Sequence, residues 1–306
     1  MPDDGAEARD AAVGRAAMTA ADNLRGSLYM TAAMAGFAVE DMLLKAAAAE
    51  LPVGQILILF GGLGMLAFAG LVRAQGDRLL HPAILSRPVL ARAGFEVSGR
   101  LFYTLAIALT PLSLASAILQ AAPLVVVAGA ALVFGERVGW RRWSAIAAGF
   151  AGVMVILRPG LEGSSALSLL AVLGMLGFAG RDLATRAAPP ALSNFQLGVY
   201  GFAMMIPAGA ALLALGFGQA VVPSGSALAL VGAATAVGVA AYWALTVSMR
   251  TGEVAAVAPF RYTRLVFAMV LGIAVFGERP DAATLIGSAV VVAAGVYALI
   301  RSGRRA

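Results

Sequence analysis

Ten apolar runs cover residues 25–45, 52–72, 88–108, 112–134, 141–158, 166–186, 195–216, 227–248, 255–276 and 283–300. About 20 mostly apolar residues are enough to cross hydrocarbon as a helix. Backbone groups find no water there, so each span must satisfy its own N–H and C=O groups. Strands of a membrane barrel would alternate apolar and polar residues over roughly ten positions; these runs are longer and evenly apolar. The expected fold is an all-α polytopic membrane protein with ten transmembrane helices. Only 12% of the 306 residues are charged, against roughly a quarter in soluble domains. That leaves too little polar surface to clothe a water-soluble globule. The 36 glycines suit helices that approach closely in lipid.

The sequence has no cysteine and one histidine, His81, next to Pro82. Disulfides, zinc-thiolate sites, thiol catalysis and a histidine triad are thereby removed, and His81 reads as a surface residue. GxxxxGK[ST] is absent, so no phosphate cradle is expected. Neither a cofactor nor a metal is called for. The net charge of +6 would fit a nucleic-acid partner, but its distribution points elsewhere. With the N-terminus inside, 15 bases fall on the cytoplasmic side, among them Arg73, Arg78, Arg87, Arg141 and Arg142. Only Lys45, Arg158 and Arg279 fall opposite. Basic loops stay cytoplasmic, so both termini are expected there, with Trp140 and Trp143 as interfacial anchors. Residues 1–24 hold Asp3, Asp4, Glu7 and Asp10, unlike a signal peptide, and are expected to be a disordered cytoplasmic tail.

The chain repeats itself. MAGFAVEDMLLK at 34–45 matches MLGFAGRDLATR at 175–186. FGER occurs at 134–137 and 276–279, and GVMVILRPG at 152–160 matches GVYALIRSG at 295–303. Three blocks in order at offsets of 141 to 143 indicate duplication. The halves are 25–160 and 161–306, with five spans each. An odd number makes the second half enter the bilayer in the opposite sense. Inverted five-helix repeats of this kind characterise many secondary transporters, whose sites lie between the halves near the midplane.

The first helix of each half, SAILQAAPLVVVAGAALVFGER, its partner APFRYTRLVFAMVLGIAVFGER, and the glycine-containing helix after each resemble the EamA domains of the drug/metabolite transporter superfamily. The resemblance covers nearly everything after residue 24. It implies ten helices, the first four of each half around a central cavity and the fifth and tenth at the periphery. It also implies a metabolite as cargo: members export amino acids and other metabolites, or take up riboflavin, S-adenosylmethionine and related compounds.

Ionised groups inside a membrane are costly and mark function or specific pairing. Asp41 and Lys45 are four residues apart, as are Asp182 and Arg186. That spacing places acid and base on one helix face, the acid first, so both pairs are expected to be structural ion pairs. Glu40 stands where the second half has Arg181. The two are expected to meet across the pseudo-twofold axis, either as a structural bridge or as a pair that shifts during transport. Arg92, Glu96 and Arg100 share one stripe of the third span. Arg92 is expected to snorkel to the interface. Arg100 either pairs with Glu96 or holds a carboxylate, phosphate or carbonyl of the solute by its planar fork.

APFRYTRL at 258–265 is the densest polar group in any span. Arg261 or Tyr262 is the expected solute contact there, while one arginine meets an acid such as Glu253 or Asp182. Gln120, in the matching span of the first half, is a hydrogen-bonding candidate. Phe37, Tyr103, Phe178, Tyr242, Trp243 and Phe260 form either stacking walls or ordinary packing. Glu136 and Glu278, the FGER glutamates, read as loop caps before proton-coupling groups. The expected solute-binding set is thus Glu40, Arg100, Tyr103, Gln120, Arg181, Trp243, Arg261 and Tyr262.

The expected activity is secondary transport of a small organic metabolite across the inner membrane by alternating access. Uptake of a vitamin-like solute such as riboflavin comes first, and export of amino acids or drug-like metabolites second. An intramembrane enzyme would need a nucleophile or metal cluster at one interface, which the sequence does not offer. The expected partners are the solute and the lipid bilayer, with a homodimer left open and no nucleic acid.

Overall fold

A computed structural model describes residues 19–135, 138–158, 166–187, 192–251 and 254–303. All regular elements among these residues are helical. The α-helices are α1 (Ala20–Ala47), α2 (Val53–Ala74), α3 (Arg87–Leu109), α4 (Leu112–Leu119), α5 (Ala122–Phe134) and α6 (Trp140–Leu157). The second half holds α7 (Ser168–Arg186), α8 (Asn194–Ala214), α9 (Gly225–Thr251), α10 (Val254–Val257), α11 (Thr263–Phe276) and α12 (Ala282–Gly303). Seven stretches are long and apolar enough to cross a membrane: α2, α4 through α5, α7, α8, α9, 258–276 and α12. The other three expected spans are helices in the expected places. Of these, α1 and α3 carry five and four charged residues, and α6 opens on Trp140-Arg141-Arg142-Trp143.

Local chemistry sets the ends. The first helix starts at Ala20, inside the segment expected to be a tail, because Thr19 and Asp22 form a capping box. The Thr19 hydroxyl accepts from the Asp22 N–H at 3.2 Å, and the Asp22 carboxylate accepts from the Thr19 N–H at 3.0 Å. These bonds satisfy two of the free donors at the helix start. Both FG turns end a helix on a left-handed glycine, Gly135 with φ 67° and Gly277 with φ 63°, a conformation that costs a residue with a Cβ.

The fourth and ninth spans are interrupted. Between α4 and α5 the chain turns at Gln120 and Ala121; between α10 and α11 it tightens into a 3-10 turn, Ala258–Tyr262. Pro123 and Pro259 each lack an N–H, and the ring crowds the carbonyl four residues back. The two breaks fall at matching places in the repeat.

The halves pack against each other. The main partners are α1 with α9, α2 with α8, α3 with α7 and α6 with α12. In addition α1 meets α11, and α5 meets α7. Exchange of the two halves maps this set onto itself. Paired glycines sit where helices cross. A Cβ on Gly177 would lie 2.3 Å from the Gly99 backbone nitrogen, and one on Gly209 would lie 2.3 Å from the Gly54 carbonyl oxygen. Leucine at 177 must therefore push α3 and α7 apart. Gly177→Leu is expected to yield little folded protein in a detergent-resistance or size-exclusion assay, whereas Gly62→Leu, with open space around its Cβ position, is expected to behave as wild type.

Candidate functional site

A cavity of about 430 Å³ lies between the halves. Its wall takes Phe37 and Glu40 from α1, Phe68 from α2, Arg92, Glu96 and Arg100 from α3, and Phe178, Arg181, Asp182 and Thr185 from α7. Gln120, Pro123, Phe202, Tyr242, Arg261, Tyr262 and Arg264 complete the polar and aromatic lining. Outside α1, where Phe37 and Glu40 lie just past the middle, the positions follow one rule. They fall late in α2, α7 and α9 but early in α3 and α8. Alternate spans run in opposite directions, so the cavity belongs to one end of the bundle, the end where α1 and α3 begin.

The ionised groups pair across helices. Glu40, 2% exposed, accepts from Arg100 Nη1 at 2.7 Å. Asp41, fully buried, accepts from Arg264 Nη2 at 2.6 Å and from the Tyr103 hydroxyl at 3.2 Å. Arg181 donates to Asp182 at 2.7 Å and to Glu96 at 3.4 Å. Arg92 donates to Thr185 Oγ1 at 3.0 Å and to the Leu197 carbonyl at 3.1 Å, with Glu96 3.5 Å away. Buried charges persist only when paired and hydrogen-bonded, and each of these pairs is.

These contacts correct two expected pairings, Asp41 with Lys45 and Glu40 with Arg181, and the expected placement of Arg92. Asp41 does not pair with Lys45: it turns to Arg264 on α11, while Lys45 reaches the end of α3. Asp182 bonds Arg181, its neighbour; the Arg186 side chain lies outside the described residues. Glu40 and Arg181 do not meet, because Arg100 and Glu96 respectively stand closer. Arg92 does not snorkel but is buried, 7% exposed. The repeat does bring its interrupted spans together elsewhere. Gln120 Nε2 donates to the Arg261 carbonyl at 3.2 Å, one residue before Tyr262, its counterpart at the FGER offset of 142. That bond joins the interrupted spans.

Six of the eight expected contacts line the cavity: Glu40, Arg100, Gln120, Arg181, Arg261 and Tyr262. Tyr103 and Trp243 do not. Tyr103 is buried behind the wall, tied to Asp41 and to Ser116. Trp243 is half exposed on the outer face, edge-on to Tyr29 at 5.9 Å. Tyr262 presents its ring, while its hydroxyl lies against Gly295, where a Cβ would be 1.7 Å away. The sequence reading missed Phe68, Phe202 and Arg264. Arg264 was in view as one of two arginines; Phe68 and Phe202 are ordinary apolar-run residues, and nothing in sequence marks which face they take. Guanidinium groups stack on the aromatic wall: Arg181 lies 5.0 Å and Arg100 5.8 Å over Phe178, and Arg264 5.4 Å over Phe37. Such contacts hold a planar fork in a fixed pose.

The other end of the bundle is shut by bonds between the halves. Glu278, after α11, accepts from the Leu112 N–H, from the Ser113 N–H at 3.0 Å and from the Ser113 hydroxyl at 2.7 Å. It thereby caps the start of α4. Lys45 Nζ donates to the carbonyls of Ile107 at 2.8 Å and Thr110 at 2.7 Å, and stands 3.9 Å from Glu278. Gln55 exchanges two bonds with the Val221 backbone, at 2.7 and 3.0 Å. The Ser224 hydroxyl donates to Glu50, and Arg158 pairs with Asp281. The hydrogen bond from Arg158 holds the Asp281 carboxyl down at about 2. Of the FGER glutamates, Glu278 is the cap that the sequence reading expected; Glu136 lies outside the described residues, as does Glu253.

Known proteins share this architecture. The EamA-like transporter family matches residues 24–158 and again 166–301. The riboflavin transporter of Rhizobium johnstonii is 32% identical over 222 residues, 72% of this chain and 71% of its own. The S-adenosylmethionine uptake transporter of Rickettsia felis is 25% identical over 68% of this chain and 69% of its own. Pseudopaline exporter CntI of Pseudomonas aeruginosa is 29% identical over 88% of this chain and 94% of its own. A solved crystal structure superposes with a TM-score of 0.60 at 20% identity, covering 91% of this chain and 98% of its own; at that identity the likeness speaks for fold alone. Two matches that together span most of the chain mean that this multi-pass membrane protein, a transporter of small molecules rather than an enzyme, belongs to the EamA-like transporter family.

Proposed function

We propose that the chain is a secondary transporter of the inner membrane with ten spans, built as two inverted five-helix repeats, 25–160 and 161–306. Both termini are cytoplasmic, on the strength of the loop arginines. On that orientation the cavity opens to the cytoplasm and the Lys45–Glu278 end faces outward, so this is an inward-facing conformation. The observation that carries the reading is the cavity itself. It lies between two interrupted helices at matching repeat positions, it is open at one end, and bonds that cross between halves shut the other. Discontinuous spans at a repeat interface are where transporters hold cargo. Alternating access then needs the outer bonds to break while the cavity mouth closes.

The cargo is a small organic metabolite with a planar apolar part and carbonyl or anionic groups. Phe37, Phe178 and Tyr242 supply flat walls, and Arg100 and Arg261 supply donors. Uptake of a vitamin-like solute such as riboflavin is the first candidate, in keeping with the name of the Rhizobium relative. Export of amino acids or drug-like metabolites is the second, in keeping with the Pseudomonas exporter. Purified protein in liposomes is expected to carry labelled riboflavin inward unchanged. Glu40→Gln is expected to lower that flux by about tenfold, since it frees Arg100 from the one acid it bonds among the described residues. A product of altered mass without flux would point to an enzyme. Flux of amino acids but not of riboflavin would select the exporter reading.

A further inference from the structure

Five guanidinium groups line the cavity: Arg92, Arg100, Arg181, Arg261 and Arg264. Three carboxylates, Glu40, Glu96 and Asp182, face them, and Asp41 stands behind Arg264 as the fourth. Among the described residues, five cations against four anions leave one positive charge over. The bonding identifies it. Arg100 has Glu40, Arg264 has Asp41, Arg181 has Asp182 and Glu96, and Arg92 has Glu96, Thr185 and the Leu197 carbonyl. Among the described residues no group hydrogen-bonds or ion-pairs with the Arg261 side chain. Asp182 lies within electrostatic range of it but spends its hydrogen bonds on Arg181. The Arg261 main chain, by contrast, is pinned: its carbonyl accepts from Gln120 across the repeat interface. A fixed backbone thus carries an unbonded cation at the junction of the two interrupted spans.

An unpaired charge in a cavity of low dielectric is costly. We propose that Arg261 is the counter-ion for an acidic group of the cargo, so that the site holds an aromatic organic anion, a carboxylate or a phosphate ester on a planar ring, more tightly than a neutral ring such as riboflavin. This deepens the transporter reading and rests on it. The fork of Arg261 takes two oxygens of the acid side by side, while the ring lies among Phe37, Phe178 and Tyr242. Cationic solutes are disfavoured by the surplus charge. Neutral isosteres lose the charge-assisted bonds, a difference of about tenfold to a hundredfold in affinity.

The test is binding to purified wild-type protein in detergent, read by thermal stabilisation. The probes are matched pairs: phenylacetate and phenylacetamide, indole-3-acetate and indole-3-acetamide, flavin mononucleotide and riboflavin. The acid of at least one pair is expected to bind about tenfold or more tighter than its neutral mate. That preference is expected to vanish in Arg261→Gln and to persist in part in Arg261→Lys. If no acid is preferred in any pair, or if Arg261→Gln keeps the preference, the proposal is overturned. The readout is independent of flux. An acid preference in binding with no movement of any probe into liposomes would remove the transport reading and leave the role of Arg261 standing.

Discussion

Asp41→Asn lowers the stability of the folded protein by about 3–5 kcal/mol, the cost of leaving one member of a buried ion pair alone. Asp41 is fully buried, and Arg264 is the residue left unpaired, with the Tyr103 hydroxyl losing an acceptor as well. Lys45→Met costs less, about 1–3 kcal/mol, because Glu278 keeps three other donors and two carbonyls at a helix end lose one partner. The double variant Asp41→Asn with Arg264→Gln recovers much of the loss, since it removes both charges together. Denaturation in mixed micelles, followed by tryptophan fluorescence, is applied to these variants, to Arg264→Gln alone and to Asp41→Asn with Lys45→Met, which completes both double-mutant cycles. The outcome separates two pairings of one carboxylate. Strong coupling of Asp41 to Lys45, with none to Arg264, would place the acid on the face that helix spacing predicts and would undo the charge map of the cavity.

The second large effect is conformational. Glu278→Ala removes the acceptor for the Leu112 and Ser113 N–H groups and the Ser113 hydroxyl, and takes away the acid 3.9 Å from Lys45. On the alternating-access reading, these bonds break when the shut end opens to the outside. Their loss, worth about 3 kcal/mol or more, is expected to shift the balance toward the outward-open form by roughly a hundredfold. The chain has no cysteine of its own, so a single Ser116→Cys reports without background. Ser116 is 1% exposed, one turn below the shut end, on α4. A membrane-impermeant thiol reagent added outside is expected to label Ser116→Cys slowly, and much faster once Glu278→Ala is added. Equal labelling of both would show that Glu278 is a helix cap and no part of a gate. Faster labelling only from the inside would reverse the orientation drawn from the arginines.

Much of the plan is written in one dimension. Run length and the lack of polar surface specify helices in lipid, and the repeated blocks point to a duplicated unit, which the family matches at 24–158 and 166–301 parallel. Pro123 and Pro259 mark where the fourth and ninth spans break. Charges within apolar runs point to Glu40, Arg100, Arg181 and Arg261, and all four line the cavity, because a buried ion has few places to go except a polar interface. Pairing is a different matter. Spacing of four residues shows that Asp41 and Lys45 share a helix face, but it does not show which helix stands opposite. Packing decides: α11 brings Arg264 against Asp41, and the flexible stem of Lys45 carries its ammonium to the carbonyls of Ile107 and Thr110. Trp243 and Phe202 were equally eligible by composition, and only helix rotation turned one outward and the other onto the wall. A sequence constrains what each residue must satisfy. Which neighbour satisfies it depends on contacts between segments far apart in the chain, and those are set when the glycine crossings bring the two halves together.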